Sequence, residues 1–171
     1  RINKLTAEGL LAGISLDTKN FAFKTGVRTF EAASYLKKSG ADTIEVKKLF
    51  NSDIKDFITK AEIIQNAKVI NNNICLAYTK TETDNINIVI AQAADELLNI
   101  KEVEASFVLA RKDDRVFISA RSLGNINVHV LMENLGGGGH RDMAGAQLDT
   151  SLEKAYEMVK DTIQTYIKEE E

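Results

Sequence analysis

Gly136-Gly137-Gly138-Gly139, followed by His140 and Arg141, gathers four of the chain's ten glycines at one point. Four successive residues without a Cβ end any helix that runs into them, although one glycine would suffice for that. Four in a row also let backbone N–H groups turn toward one point and let a ligand approach without a side chain in the way. The run therefore reads as a phosphate- or nucleotide-holding loop, with a flexible helix stop as the plainer alternative. It lacks G-x-G-x-x-G or P-loop spacing, so by itself it does not name a ligand. His140, directly after it, is placed to donate to a phosphate oxygen or to move a proton near neutral pH. Proline is absent, so every turn must be made with Gly, Asn or Asp.

Hydrophobic periodicity divides the rest of the chain. Residues 6–16 read as a buried helix opened by Thr6, and Thr29 through Leu36 as a second, closed by Gly40. A third, from Asp53 to about Asn66, carries Ile54, Phe57, Ile58, Ala61 and Ile64 on one face. The pattern then changes. Two short apolar runs flank Asn71-Asn72-Asn73, predicting a hairpin, and a helix follows over about 85–98 with Ile86, Ile90, Ala93, Ala94 and Leu97 on one side. Glu104–Arg111 and Arg115–Ser122 alternate about Asp113-Asp114, a second hairpin. Residues 126–135 read as a helix stopped by the glycines, and 144–148 as a short strand. Thr150 with Glu153 form a capping box before a last helix whose apolar stripe runs from Leu152 to Ile167. The fold class is α/β: a mainly helical part over 1–52, a connecting helix over 53–65 and a mixed-sheet α/β unit over 66–171.

Charge and composition exclude several functions. With 44% hydrophobic and 27% charged residues the chain is an ordinary globular one, neither disordered nor collagen-like. A net charge of −3, from 22 basic and 25 acidic side chains, argues against a broad basic face for duplex nucleic acid. Residues 149–171 carry −4 of it, which leaves +1 on everything before and room for a local anion site. No apolar run reaches the roughly 18 residues of a membrane span, so no membrane contact by this chain is expected. Cys75 stands alone, which excludes an internal disulfide and a multi-cysteine zinc site and suits the cytoplasm. The start at Arg1 without methionine reads as a piece of something longer.

Three further positions have chemical readings. Ser119 and Arg121, two residues apart in a strand, share a face, where a guanidinium could fork onto a phosphate; a solvated strand arginine is the alternative. Asp17 ends an apolar segment, as a cation-holding carboxylate would, although a turn role is the simpler reading. His129, between Val128 and Val130 in a helical run, lacks partners for metal or triad work and is left out of the site.

The stretch from Gly13 through Asp17-Thr18-Lys19-Asn20-Phe21 to Arg28-Thr29-Phe30-Glu31-Ala32-Ala33-Ser34-Tyr35-Leu36 resembles the last conserved block of DHH-family phosphoesterases. Ser119-Ala120-Arg121-Ser122, and the glycine run with His140 and Met143-Ala144-Gly145-Ala146, resemble the DHH-associated substrate-binding domain of the same proteins. Within that family the sequence looks like the membrane-anchored cyclic di-AMP phosphodiesterases. The resemblance implies a helical remnant of a DHH domain over 1–52 and a complete associated domain over 66–171. It implies two manganese ions in the catalytic domain, with Asp17 as a catalytic metal ligand. It also implies that Arg121, Ser122, Gly136, Gly137, Gly138, Gly139 and His140 hold the nucleotide and its phosphates. The implied activity is hydrolysis of cyclic di-AMP to linear pApA. Its implied partners are a cyclic or linear dinucleotide, an upstream DHH domain and, as an open option, a second copy of the chain. The parent would be anchored in the membrane with this part facing the cytoplasm.

No Asp-x-Asp pair and no Asp-His-His triplet occurs in the sequence, so the piece alone is expected neither to hold manganese nor to hydrolyse. Two alternatives stand beside this reading: part of a RecJ-like exonuclease or oligoribonuclease, and a non-catalytic nucleic-acid-binding module of the kind that accompanies alanyl-tRNA synthetases. The Asp17–Phe21 block weighs against the module, which has no use for a DHH remnant.

Overall fold

In the computed structural model of the chain, residues 2–170 are described. They fall into two compact units, Arg1–Ser52 and Asp53–Glu171. The first holds three helices, α1 (Lys4–Asp17), α2 (Val27–Lys38) and α3 (Thr43–Lys48), around a small core of Ala7, Leu11, Leu36, Ala41 and Val46. Asn3, not Thr6, caps α1, its side chain accepting from Thr6 N at 2.8 Å. α3 goes unseen in the sequence because six residues are too few to show a period; Asp42 caps it by accepting from Ile44 N.

The second unit is a six-stranded mixed sheet in the order β1-β2-β3-β4-β6-β5 with helices on both faces. α4 (Ile54–Gln65), capped by Asp53, belongs to it through buried Ile63. β1 (Lys68–Ile70) and β2 (Ile74–Thr79) form the expected hairpin, and Asn71 and Asn72 adopt the positive φ that asparagine tolerates in such turns. α5 (Ile86–Leu97) crosses over to β3 (Ala105–Lys112), which runs parallel to β2. β3 turns at Asp113-Asp114 into antiparallel β4 (Arg115–Ser122).

In the second unit α6, β5 and the start of α7 also differ from the sequence reading. The helix expected over 126–135 is only α6 (Val128–Glu133). The glycine run is partly strand: β5 (Gly138–Gly139) pairs with β6 (Met143–Leu148), a pairing that no side-chain propensity announces. Ser151 rather than Thr150 caps α7 (Leu152–Glu170), its Oγ accepting from Lys154 N, while Glu153 reaches Lys80.

Alternation sorts the sheet's side chains between two cores. Phe107, Leu109, Val116, Ile118, Ala120, Ala144 and Ala146 face α6 and α7, together with Leu152, Ala155, Val159 and Ile163. Cys75, Ala77, Val108 and Ala110 face α4 and α5, with Ile86, Ile90, Ala93 and Leu97. Phe117, Ser119 and Arg121, being odd-numbered along β4, look toward the α5 side.

Candidate functional site

On that side of the sheet a cleft of about 550 Å³ lies over β4 and β6, bordered by Asn87 and Ile90 of α5 and by Gly136 and Gly137. Its floor includes Phe117, Ser119 and Arg121 of β4 with Gly145 and Gln147 of β6. Arg121 is 8% exposed. One terminal nitrogen of its guanidinium donates to Ser119 Oγ at 3.0 Å and to Ala120 O at 2.9 Å. Its Nε lies 3.2 Å from Asp95 Oδ1, yet the N–H is not aimed at that oxygen and the buried nitrogen has no hydrogen-bond acceptor. The strand's own atoms thus hold the fork in place, and a buried donor is left for something else. Buried cations are costly unless paired and hydrogen-bonded on all sides, and an anionic ligand in the cleft would supply the missing acceptor.

The glycine run works differently from a nest. Gly136 N donates to Glu133 O and Gly137 N to Met132 O, so both groups close α6. A Cβ on Gly137 would collide with Gly145 O and stand 2.6 Å from Ala146 Cβ. At Gly139, which has φ +146°, a Cβ would stand 2.5 Å from the Ala144 backbone. These two glycines let β5 lie against β6. Gly138 faces open space. Arg121, Gly136 and Gly137 border one cleft, whereas Gly138, Gly139 and His140 are not in its lining. His140 is exposed at the β5–β6 turn, with its backbone N–H donating to Met143 O at 2.6 Å. Ser122 is buried, its Oγ accepts from Gly124 N at 2.9 Å, and strand alternation turns it away from Arg121.

Asp17 sits exposed at the end of α1. The next turn is unusual: Lys19, Asn20 and Phe21 have φ of +46°, +56° and +67° in succession. Buried Thr18 pins it, its hydroxyl donating to Ile14 O at 2.7 Å and accepting from Phe21 N at 2.9 Å. Among the described residues no three His, Cys, Asp or Glu side chains gather where a metal could be held. One exposed carboxylate does not make a manganese site, so the residues present do not fit the metal pair that the family resemblance implies. Nor is any helix among the described residues long and apolar enough to cross a membrane.

Sequence reasoning missed Asn87, Phe117 and Gln147, which line the same cleft as Arg121. Spacing shows that Phe117 and Arg121 share a face; it does not give the register that sets Gln147 beside Phe117, nor the position of α5.

The cleft, its buried arginine and the glycine-rich edge strand lie in a domain of known kind: the chain belongs to the DHHA1 domain family, which matches residues 71–169. That range holds Arg121, the glycine run and His140. Over 98% of its length the chain is 45% identical to the cyclic-di-AMP phosphodiesterase GdpP of Bacillus subtilis and 43% identical to GdpP of Geobacillus thermodenitrificans. It spans 26% of the length of each of these relatives. A crystal structure of an exopolyphosphatase-related protein from Bacteroides fragilis shares the fold, with a TM-score of 0.85 at 22% identity over 96% of this chain and 51% of that one.

Proposed function

We propose that this chain is the substrate-holding part of a phosphodiesterase that opens cyclic di-AMP to linear pApA. The observation that carries the reading is Arg121, buried, held from one edge by Ser119 and Ala120, 3.2 Å from Asp95 Oδ1 through an Nε that makes no hydrogen bond, and lining a nucleotide-sized cleft. The GdpP relatives, themselves cyclic-di-AMP phosphodiesterases, support the choice of substrate. In this reading Arg121 takes a phosphate oxygen, Gly136 and Gly137 keep the cleft wall low, and Gly138 and His140 meet the parts of the dinucleotide that extend past it. A manganese requirement would rest on ligands beyond this chain, with the Asp17 carboxylate as its own contribution.

Calorimetric titration of pApA and cyclic di-AMP into the chain tests binding, and a product assay with manganese tests turnover. The chain is expected to bind a dinucleotide without hydrolysing it. Arg121→Ala should weaken binding about ten- to a hundredfold, the loss of a charge-assisted pair. Absence of binding by the wild-type chain overturns the substrate reading, and turnover by the chain alone overturns the view that its metal site is incomplete.

A further inference from the structure

On the α5 side of β4 and β6, three cross-strand pairs follow one another: Phe117 with Gln147, Ser119 with Gly145, and Arg121 with Met143. The first and last are four strand residues apart, roughly 13 Å. The cleft therefore has a half-buried aromatic ring beside a carboxamide at one end, a floor of small residues in the middle, and a guanidinium at the other end. Asn87, exposed on α5, brings a second carboxamide to its border. A nucleotide presents its own parts in that order: planar base, sugar, phosphate.

We infer that the Phe117 end of the cleft is a nucleobase subsite, in which Phe117 stacks the base and the carboxamides of Asn87 and Gln147 read its edge in favour of adenine. The inference rests on the reading of Arg121 as the phosphate holder and adds the recognition of the base. A ring face stacks on any base, so Phe117 gives affinity without choice. Choice comes from the amides. Adenine offers an acceptor at N7 next to a donor at N6, and a carboxamide meets both at once. Guanine offers two acceptors there and calls for Arg or Lys. Among the described residues Arg121 is the one cation lining the cleft, and it stands at the opposite end. Gly145 serves the sheet as well as the cleft, since a Cβ there would stand 2.8 Å from Ile118 O.

The test is calorimetric titration of the 171-residue chain with pApA and with pGpG, wild type and variants, each checked for an unchanged melting curve. The wild type should prefer pApA about tenfold or more. Phe117→Leu keeps apolar bulk against the core and removes the flat face, and it should weaken both ligands by about tenfold. Phe117→Tyr should bind like the wild type. The double variant Asn87→Ala with Gln147→Ala changes two exposed positions, leaves the core untouched, and should bring pApA and pGpG within about threefold of each other. Arg121→Ala should weaken both ligands alike. If the wild type binds pApA but does not prefer it over pGpG, or if folded Phe117→Leu or the double amide variant behaves as wild type, the subsite falls and the phosphate reading stands. If the wild type binds neither dinucleotide, both fall.

Discussion

An arginine only 8% exposed in a strand is costly to the fold unless its donors are used, and Arg121 uses them unevenly. Ser119 and Ala120 fix one terminal nitrogen while Nε has an oxygen within 3.2 Å but off the line of its N–H. Fixed geometry, more than charge, is what such an arrangement contributes. Arg121→Lys should therefore lose nearly as much dinucleotide affinity as Arg121→Ala, because an ammonium on a flexible stem cannot reproduce the planar fork. Titration of both variants checks this; a lysine that restores wild-type affinity would reduce the site to a point charge. The glycines separate in the same way. Gly137→Ala drives a Cβ into β6 and should cost about 1–3 kcal/mol in chemical unfolding. Gly138→Ala meets open space and should leave stability within about 0.5 kcal/mol. The sequence marks four equivalent glycines; it cannot mark that two of them are pressed against Ala144, Gly145 and Ala146, because that depends on which strand returns beside them.

Long elements whose stripe packs on a core were legible from sequence, but not every long one was: α1, expected to be buried, buries only Ala7 and Leu11 among the described residues, and on α4 the expected face is exposed at Ile54, Phe57 and Ile58 while Asp56, Thr59 and Ile63 are buried. The stripe Ile86, Ile90, Ala93, Ala94, Leu97 is the buried face of α5, and Leu152, Ala155, Val159, Ile163 that of α7. The turns at Asn71-Asn72-Asn73 and Asp113-Asp114 stand where turn chemistry sets them. Short elements were less so: α3, with six residues, and β5, with two glycines, showed no pattern, and α6 was expected at its place but over ten residues instead of six. The shared face of Ser119 and Arg121 follows from their spacing, and the bond between them bears out that geometry. The turn after α1 is legible only in part. Its residues read as polar, but nothing in Lys19-Asn20-Phe21 announces three left-handed residues, each costing about 1–2 kcal/mol for an ordinary side chain. Such a cost persists only where neighbours over-determine the conformation, and Thr18 is the visible determinant. Thr18→Val keeps the size and removes the hydroxyl, leaving Phe21 N without its partner. Chemical unfolding followed by helix signal should show the first unit weakened by about 1–2 kcal/mol, whereas Ser at the same position should retain most of the stability.

At the scale of the molecule the two units differ in how much core they own. Among the described residues of the first unit five apolar side chains are buried, while Leu5, Leu16, Val27, Ile44 and Leu49 are each more than 60% exposed. The second sandwiches its sheet between two apolar layers, with Phe107, Ile74, Leu76, Leu109 and Ile163 wholly buried. Small cores rarely offset the conformational entropy of the chain they order, and a helical piece of about 50 residues with so few buried side chains is marginal. Residues 53–171 made alone should therefore unfold in one cooperative transition, and residues 1–52 alone should show little helix and bind a hydrophobic dye. Cys75 supplies an internal reporter for the first claim. It lies in β2 at 0% exposure, and burial pushes its thiol pKa up. A disulfide reagent should leave it unreacted in 53–171 until denaturant opens the sheet, with labelling and circular dichroism sharing one midpoint. The pH dependence has a fixed sign: the folded thiol keeps its proton where the unfolded one has lost it, so above the ordinary thiol range this group makes stability fall as pH rises. Cys75→Ala should flatten that alkaline slope while lowering stability at neutral pH. If 53–171 labels at once without denaturant, or 1–52 melts cooperatively by itself, the division of stability between the units is the reverse of the one that their buried side chains imply.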